Sequence, residues 1–215
     1  MRPIPFIAVL GLAAVVVVSP PQAGAQQADR ADVPGDGFGF QAALGFTSIS
    51  QDYGDVITDG IPAEGGVWYQ TGAFRGGLNV LVASYDVVDP FGSQSISQVE
   101  IAASALLRFR RQHRLQPFVG ARIGAIRFRP EGALFDPVPP PPDELPGENP
   151  AKERTGLVGG LSAGAEFWFT RHVGLQALVG YRAFSTDALD IPLLGVTDVK
   201  TGGAFDLRLG VEWAI

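Results

Sequence analysis

The sequence predicts an all-β fold, an eight-stranded antiparallel up-and-down transmembrane β-barrel, and three observations carry that expectation. After residue 36 the hydrophobic pattern alternates with a period of two, the strand period, and not 3.6. The alternating segments number eight. The gaps between them are long and short by turns, which a meander requires if all its tight turns lie at one end.

Composition narrows the field before any element is placed. The 215 residues leave room for one domain of ordinary size or two small ones. The 28 glycines are about twice the usual ~7%, too many for a helical protein, and they lack the three-residue period of collagen. With no cysteine there is no disulfide framework, no thiolate metal site, no cysteine nucleophile and no lipidated N-terminal cysteine. A net charge of -6 without a Lys/Arg stripe excludes a nucleic-acid partner.

Taken in order, residues 1–25 are an export address. Arg2 opens a basic region, Ile4 to Val18 are uncharged, and Ala23-Gly24-Ala25 supplies a small-residue cleavage pattern, so cleavage is expected before Gln26. The apolar run is shorter than the ~20 residues a spanning helix needs. Residues 26–36 form a polar lead-in, expected to be flexible and periplasmic, and the barrel domain runs from Gly37 to Ile215.

The expected strands are Gly37 to Thr47, Val67 to Phe74, Leu78 to Tyr85, Val99 to Phe109, Leu115 to Phe128, Leu157 to Phe169, Val173 to Phe184 and Ala204 to Ile215. The last is the clearest, with Phe205, Leu207, Leu209, Val211, Trp213 and Ile215 on one face and Asp206, Arg208 and Glu212 on the other. The second and third alternate poorly. The tight turns are expected at Arg75-Gly76-Gly77, Arg110 to Arg114 and Thr170-Arg171-His172; the long loops at Ser48 to Gly66, Asp86 to Ser97, Arg129 to Thr155 and Ser185 to Gly202. Short turns at one end and long loops at the other mark outer-membrane barrels.

Charge decides which face meets which solvent. Polar faces pointing inward bring together Glu100, Glu166, Asp206 and Glu212 with Arg108, Arg122, Arg182 and Arg208, four acids against four bases. A small barrel interior requires such a balance, because a lone buried charge costs several kcal/mol. The apolar faces of the clean strands carry no charge, where a mid-bilayer Lys or Arg would cost about 2–4 kcal/mol. Aromatic residues of outward parity form two girdles: Phe38, Phe109, Phe167, Phe169 and Trp213 toward the short turns, Phe46, Tyr181 and Phe205 toward the long loops. Inward glycines (Gly120 and Gly124, Gly160 and Gly164, Gly174 and Gly180) leave space for the larger charged chains.

On these residues the chain resembles the eight-stranded outer-membrane β-barrels of the OmpA membrane-domain and OmpX type. The resemblance rests on Gln116 to Gly124, on Gly159 to Phe167 with the Thr170-Arg171-His172 turn, and on the C-terminal Arg208, Gly210, Trp213 and Ile215, which look like the assembly signal of this class. Ile215 departs from it, since an aromatic terminus is commoner. The resemblance implies outer-membrane lipid as solvent, insertion by the barrel-assembly machinery and a monomer. It does not imply one activity, because the fold hosts several.

Candidate chemistry is sparse. His113 and His172 both fall in short turns, on the periplasmic side, away from any outer-leaflet lipid, so a His-dependent lipid enzyme is disfavoured and no catalytic residue is assigned. No metal or cofactor site is expected; the acidic residues, 15 of 22 of them assigned to the long loops, match no EF-hand spacing. Pro137, Pro139 to Pro142, Pro146 and Pro150 mark the third loop as extended, and Ile191 to Val196 is an apolar stretch in the fourth. The expected function is a structural or surface-interaction role, in adhesion or envelope integrity, with an extracellular partner at acidic loops; the alternative is a narrow channel for ions or small solutes.

Overall fold

A computed structural model describes residues 33–50, 57–87, 95–109, 112–131, 153–191 and 196–215. Eight antiparallel strands close into a barrel in chain order: β1 (Gly37–Ser50), β2 (Ile57–Thr71), β3 (Phe74–Val87), β4 (Ser95–Arg108), β5 (Leu115–Glu131), β6 (Arg154–Trp168), β7 (Val173–Ile191) and β8 (Val196–Ala214). Closure is made by β1 on β8, in register from Gly39 opposite Ala214 to Ser50 opposite Gly203. No strand edge remains open through this stretch, so the backbone polar groups are paired without help from solvent, as a span through hydrocarbon requires.

The barrel is inverted relative to a water-soluble protein. Leu44, Ile123, Leu161 and Leu209 point outward with 64–71% of their surface exposed, while Glu64, Arg75, Glu100, Arg108, Arg122, Glu166, Arg182, Asp206, Arg208 and Glu212 point inward, with Arg154 on the same parity at the long-loop end. Among the residues whose side chains are described, outward charges lie near the rims: Asp59, Asp86, Arg127, Arg129 and Glu153 toward the long-loop end and Arg171 at the tight-turn end. On β5 the outward positions are free of charge from Leu115 to Ala125, ten residue steps. At ~3.3 Å per residue and a tilt near 40° this is a band about 25 Å tall, the height of the lipid-facing belt of such barrels. The outward stretches Ile61 to Thr71 on β2 and Phe74 to Ser84 on β3 have the same ten-step length.

Large inward side chains are matched by glycines on neighbouring strands. A Cβ at Gly39 would lie 2.1 Å from the Trp68 ring, and one at Gly164 2.7 Å from Phe118 Cζ. The glycine-rich inner face is therefore the complement of a few bulky residues.

Several elements differ from the sequence expectation. The β2–β3 turn is Gly72-Ala73, not Arg75-Gly76-Gly77, because Gly72 takes the left-handed conformation (φ 56°) and Thr71 pairs with Phe74. Arg75 to Gly77 are strand residues, and β2 begins ten residues before the expected Val67. The expected long loops also shrink, to residues 51–56, 88–94, 132–153 and 192–195, because the strands continue past the belt. Asp59 and Glu64 thus lie on β2, Asp86 on β3, Glu131 on β5, Asp187 and Asp190 on β7 and Asp198 on β8, so the count of 15 loop acids is too high. The tight-turn segments span residues 72–73, 109–114 and 169–172. The prolines assigned to the third loop fall outside the described residues, as do the side chains of Ile191 to Val196.

The described part of the lead-in is tied to the barrel. Gln70 Nε2 donates to the main-chain oxygen of Gly35, Gly72 N donates to Asp36 Oδ1 at 3.0 Å, and Val33 packs against Trp68, Trp168 and Ala214.

Candidate functional site

The inward charges segregate into two neutral clusters stacked along the barrel axis. Nearer the tight turns, Arg75 Nη1 lies 2.7 Å from Glu212 Oε1 and 2.8 Å from Glu166 Oε1, and its Nη2 donates to Gln70 Oε1 at 3.2 Å. Arg108 Nη1 stands 3.9 Å from Glu166 Oε2 and donates to Gln116 Oε1 at 3.3 Å. Gln176 Nε2 donates to Glu212 at 2.8 Å, and Trp168 Nε1 to Glu166 at 3.3 Å. Two arginines meet two glutamates here.

Nearer the long-loop end, Arg182 grips Asp206 with two parallel bonds, Nε to Oδ2 at 2.6 Å and Nη2 to Oδ1 at 2.9 Å, and also pairs with Glu100. Arg122 donates to Glu64 Oε2 at 2.9 Å and sets its Nε 3.1 Å from Glu100 Oε1. Arg208 pairs with Glu64 and lies 3.6 Å from Asp206. Three arginines meet three carboxylates. Fork-like, bidentate pairing of this kind is the geometry in which buried ions recover most of their lost hydration.

A neutral polar layer separates the clusters. Gln41 Nε2 donates to Glu64 Oε1 and Asn79 Oδ1, both at 3.0 Å, and Asn79 Nδ2 donates to Ser104 Oγ at 2.7 Å. The cavity at this level measures about 40 Å³, room for a few waters only. Apolar layers close the interior on both sides. Trp68 and Trp168 seal the tight-turn end, with the Arg75 guanidinium 4.1 Å above the Trp68 ring. Toward the loops, Tyr85, Ile96, Ile126, Val158, Phe128 and Phe184 are buried, the last two with ring centroids 5.3 Å apart.

Each residue singled out from the sequence can now be placed. Glu100, Arg108, Arg122, Glu166, Arg182, Asp206, Arg208 and Glu212 all lie in the two clusters. Phe38, Phe46, Phe109, Phe167, Phe169, Tyr181 and Trp213 are exposed on the outer face, and Phe205 is half-buried. Of the C-terminal group, Trp213 and Ile215 face outward, Arg208 is part of the ionic core and Gly210 sits opposite Ala43. Sequence reasoning missed Glu64 and Arg75, one acid and one base, assigned to a loop and a turn. The signal that could have found them is the inward series Gly60, Pro62, Glu64, Gly66, Trp68 and Gln70 against Ile61, Ala63, Gly65, Val67 and Tyr69.

No family model and no curated protein matches the chain. Among solved structures, the chain is similar to Neisserial surface protein A (NspA), with 21% identity over 83% of this chain and 97% of that one and a TM-score of 0.57. The fold is that of an eight-stranded outer-membrane barrel. OprG of Pseudomonas aeruginosa is similar at 15% identity over 86% of this chain and 100% of that one, TM-score 0.45. Ail of Yersinia pestis is similar at 10% identity over 82% and 99%, TM-score 0.48.

Proposed function

We propose that this chain is an exported outer-membrane protein, with residues 1–25 cleaved, whose sealed, non-conducting barrel serves an envelope-structural or surface-interaction role through the segments at its long-loop end. The observation that carries the reading is the pairing of a charge-free belt about 25 Å tall with an interior filled by two neutral ion clusters and closed by apolar layers. A lumen so filled leaves no continuous water path. The four connecting segments at the long-loop end contain Asp52, Asp55, Asp89, Asp136, Asp143, Glu144, Glu148 and Glu153 against Lys152 alone, so the partner they favour is cationic.

The protein acts without turnover on this reading. His172 is engaged with Ala214 O and Arg171 at the tight-turn end, which supports a positional role for it. The exposed Trp213 on β8 and Ile215 just after it offer the barrel-assembly machinery an apolar strand end, and the monomer inserts with its tight turns in the periplasm.

The test has two arms. Detergent-purified protein should migrate differently in gel electrophoresis before and after boiling, and in planar bilayers the folded form should show no steady conductance. Sustained single-channel steps would replace the structural role with a channel.

A further inference from the structure

On the outer wall two concavities lie one above the other along β1, β7 and β8; the ion-cluster residue Glu64 and its neighbour Gln176 are among the residues lining the upper one. At the tight-turn end a pocket of about 280 Å³ is lined by Val33, Gly37, Phe38, Arg171, His172 and Ile215, among others. Higher on these strands an apolar groove of about 710 Å³, which extends onto β2, β5 and β6, is floored by Ala42 and Ala177 and walled by Leu44, Leu175, Leu209 and Val211. Register places them in line: Ile215 N bonds to Phe38 O, Phe40 pairs with Trp213, and Ala42 pairs with Val211. From Phe38 to Ala42 is four steps, about 13 Å along the strand.

The polar pocket is held in place by a chain of hydrogen bonds. Thr170 Oγ1 accepts from His172 N at 3.2 Å and from Val173 N at 3.1 Å, fixing the turn. His172 Nδ1 lies 2.9 Å from Ala214 O, and Arg171 Nε donates to His172 Nε2 at 2.9 Å. Both contacts are met when the ring carries its proton on Nδ1. Arg171 is thereby held through its Nε while its two terminal nitrogens have no hydrogen-bond partner among the described residues. A guanidinium presented in this way is a phosphate ligand, and it sits just beyond the girdle of Phe38, Phe167, Phe169 and Trp213, at the depth of lipid headgroups.

We propose that this wall is a seat for one diacyl glycerophospholipid, its phosphate on Arg171 and an acyl chain lying in the groove over Ala42 and Ala177, with His172 as a positioning residue. The inference rests on the outer-membrane reading, which puts this face in lipid. Charge complementarity selects the occupant: an apolar groove alone would accept any hydrocarbon, but one that ends at a fixed cation favours a chain joined to a phosphate.

Native mass spectrometry of the detergent-purified full chain, titrated with palmitoyl-oleoyl phosphatidylethanolamine and separately with the matching diacylglycerol, tests it. The wild type should retain one phospholipid at roughly tenfold lower concentration than the diacylglycerol. Arg171→Ala should abolish that preference, His172→Ala should reduce it, and Ala177→Phe should weaken binding of both lipids. Heat-dependent gel migration verifies the fold of each variant, and Arg171 lies in an exposed turn whose loss leaves the barrel intact. Equal phospholipid retention by wild type and Arg171→Ala overturns the proposal. So does a dimer that Ala177→Phe dissolves, since the groove would then seat a second copy of the chain. A chain that stays soluble without detergent and shows no heat-dependent migration instead defeats the outer-membrane reading itself.

Discussion

Arg182→Leu is the most informative single substitution in the ionic core. Its guanidinium makes the two-bond grip on Asp206, pairs with Glu100 and donates to Thr47 Oγ1 at 3.2 Å. Truncation leaves Asp206 with Arg208 at 3.6 Å, and Glu100 with Arg122 at 3.1 Å, so each carboxylate keeps one cation at longer range. Breaking a buried pair from one side costs about 3–5 kcal/mol. For a domain of this size each kcal/mol moves the melting point by about 2–4 °C, so the expected loss is about 6–20 °C. The assay is the temperature at which the folded gel band disappears during graded heating in detergent. Arg127→Leu is the internal control, because Arg127 also pairs with a glutamate, Glu153, but is 55% exposed; such a pair contributes about 0–1 kcal/mol. If both variants melt within about 2 °C of the wild type, buried charge pairing does not support this barrel and the reasoning fails.

Glu64→Leu should destabilise at least as strongly as Arg182→Leu, since it strips Arg122 and Arg208 of a shared carboxylate, and Glu64→Gln should recover part of the loss in the same melting assay. Val119→Arg, near the middle of the outward band on β5, should cost about 2–4 kcal/mol and lower folding yield into vesicles, whereas Thr155→Arg near the long-loop rim should cost about 1 kcal/mol or less. Gly164→Val should lower the melting temperature, since its Cβ would lie 2.2 Å from the Ala177 main-chain oxygen and 2.7 Å from Phe118 Cζ, and because the main-chain atom cannot yield, Phe118→Ala in the same chain should restore little of it. Replacing Trp68 and Trp168 together with Ala should loosen the tight-turn seal, measured as faster hydrogen exchange of the Gln70 and Gln116 side-chain amides.

How much of this was legible depended on hydrophobic contrast. On β8 and β4 the outward and inward residues differ sharply, and the inward charges were read with their partners in view. On β2 the contrast fails, because inward Gly60, Pro62 and Gly66 and outward Ala63 and Gly65 are neither strongly apolar nor polar. Glu64 consequently looked like a loop acid, and Arg75, followed by two glycines, looked like a turn. The physical signal for the turn was a single glycine free to take φ 56° at position 72, which a glycine-rich sequence does not distinguish from its neighbours. Charge balance survived the error because the missed pair was one of each sign. The division into two separately neutral clusters was not legible at all, since it depends on which strands meet across the barrel: Arg75 on β3 reaches Glu212 on β8, and Arg182 on β7 reaches Glu100 on β4. The apolar seals were hidden for the same reason, Trp68 and Trp168 lying 100 positions apart in the chain.

The absence of cysteine from the chain permits the most direct measurement of the central claim, that the outward band is in lipid and the inward face is sealed. Single cysteines placed at each position from Leu115 to Arg129 and spin-labelled in bilayer-reconstituted protein should report collision with oxygen and with a water-soluble relaxant. The predicted result is a period of two: outward labels up to Ala125 accessible to oxygen and shielded from the aqueous agent, inward labels shielded from both, and a switch to aqueous access at Arg127. Aqueous access at outward positions such as Val119 and Ile123 would contradict the account and return the chain to water.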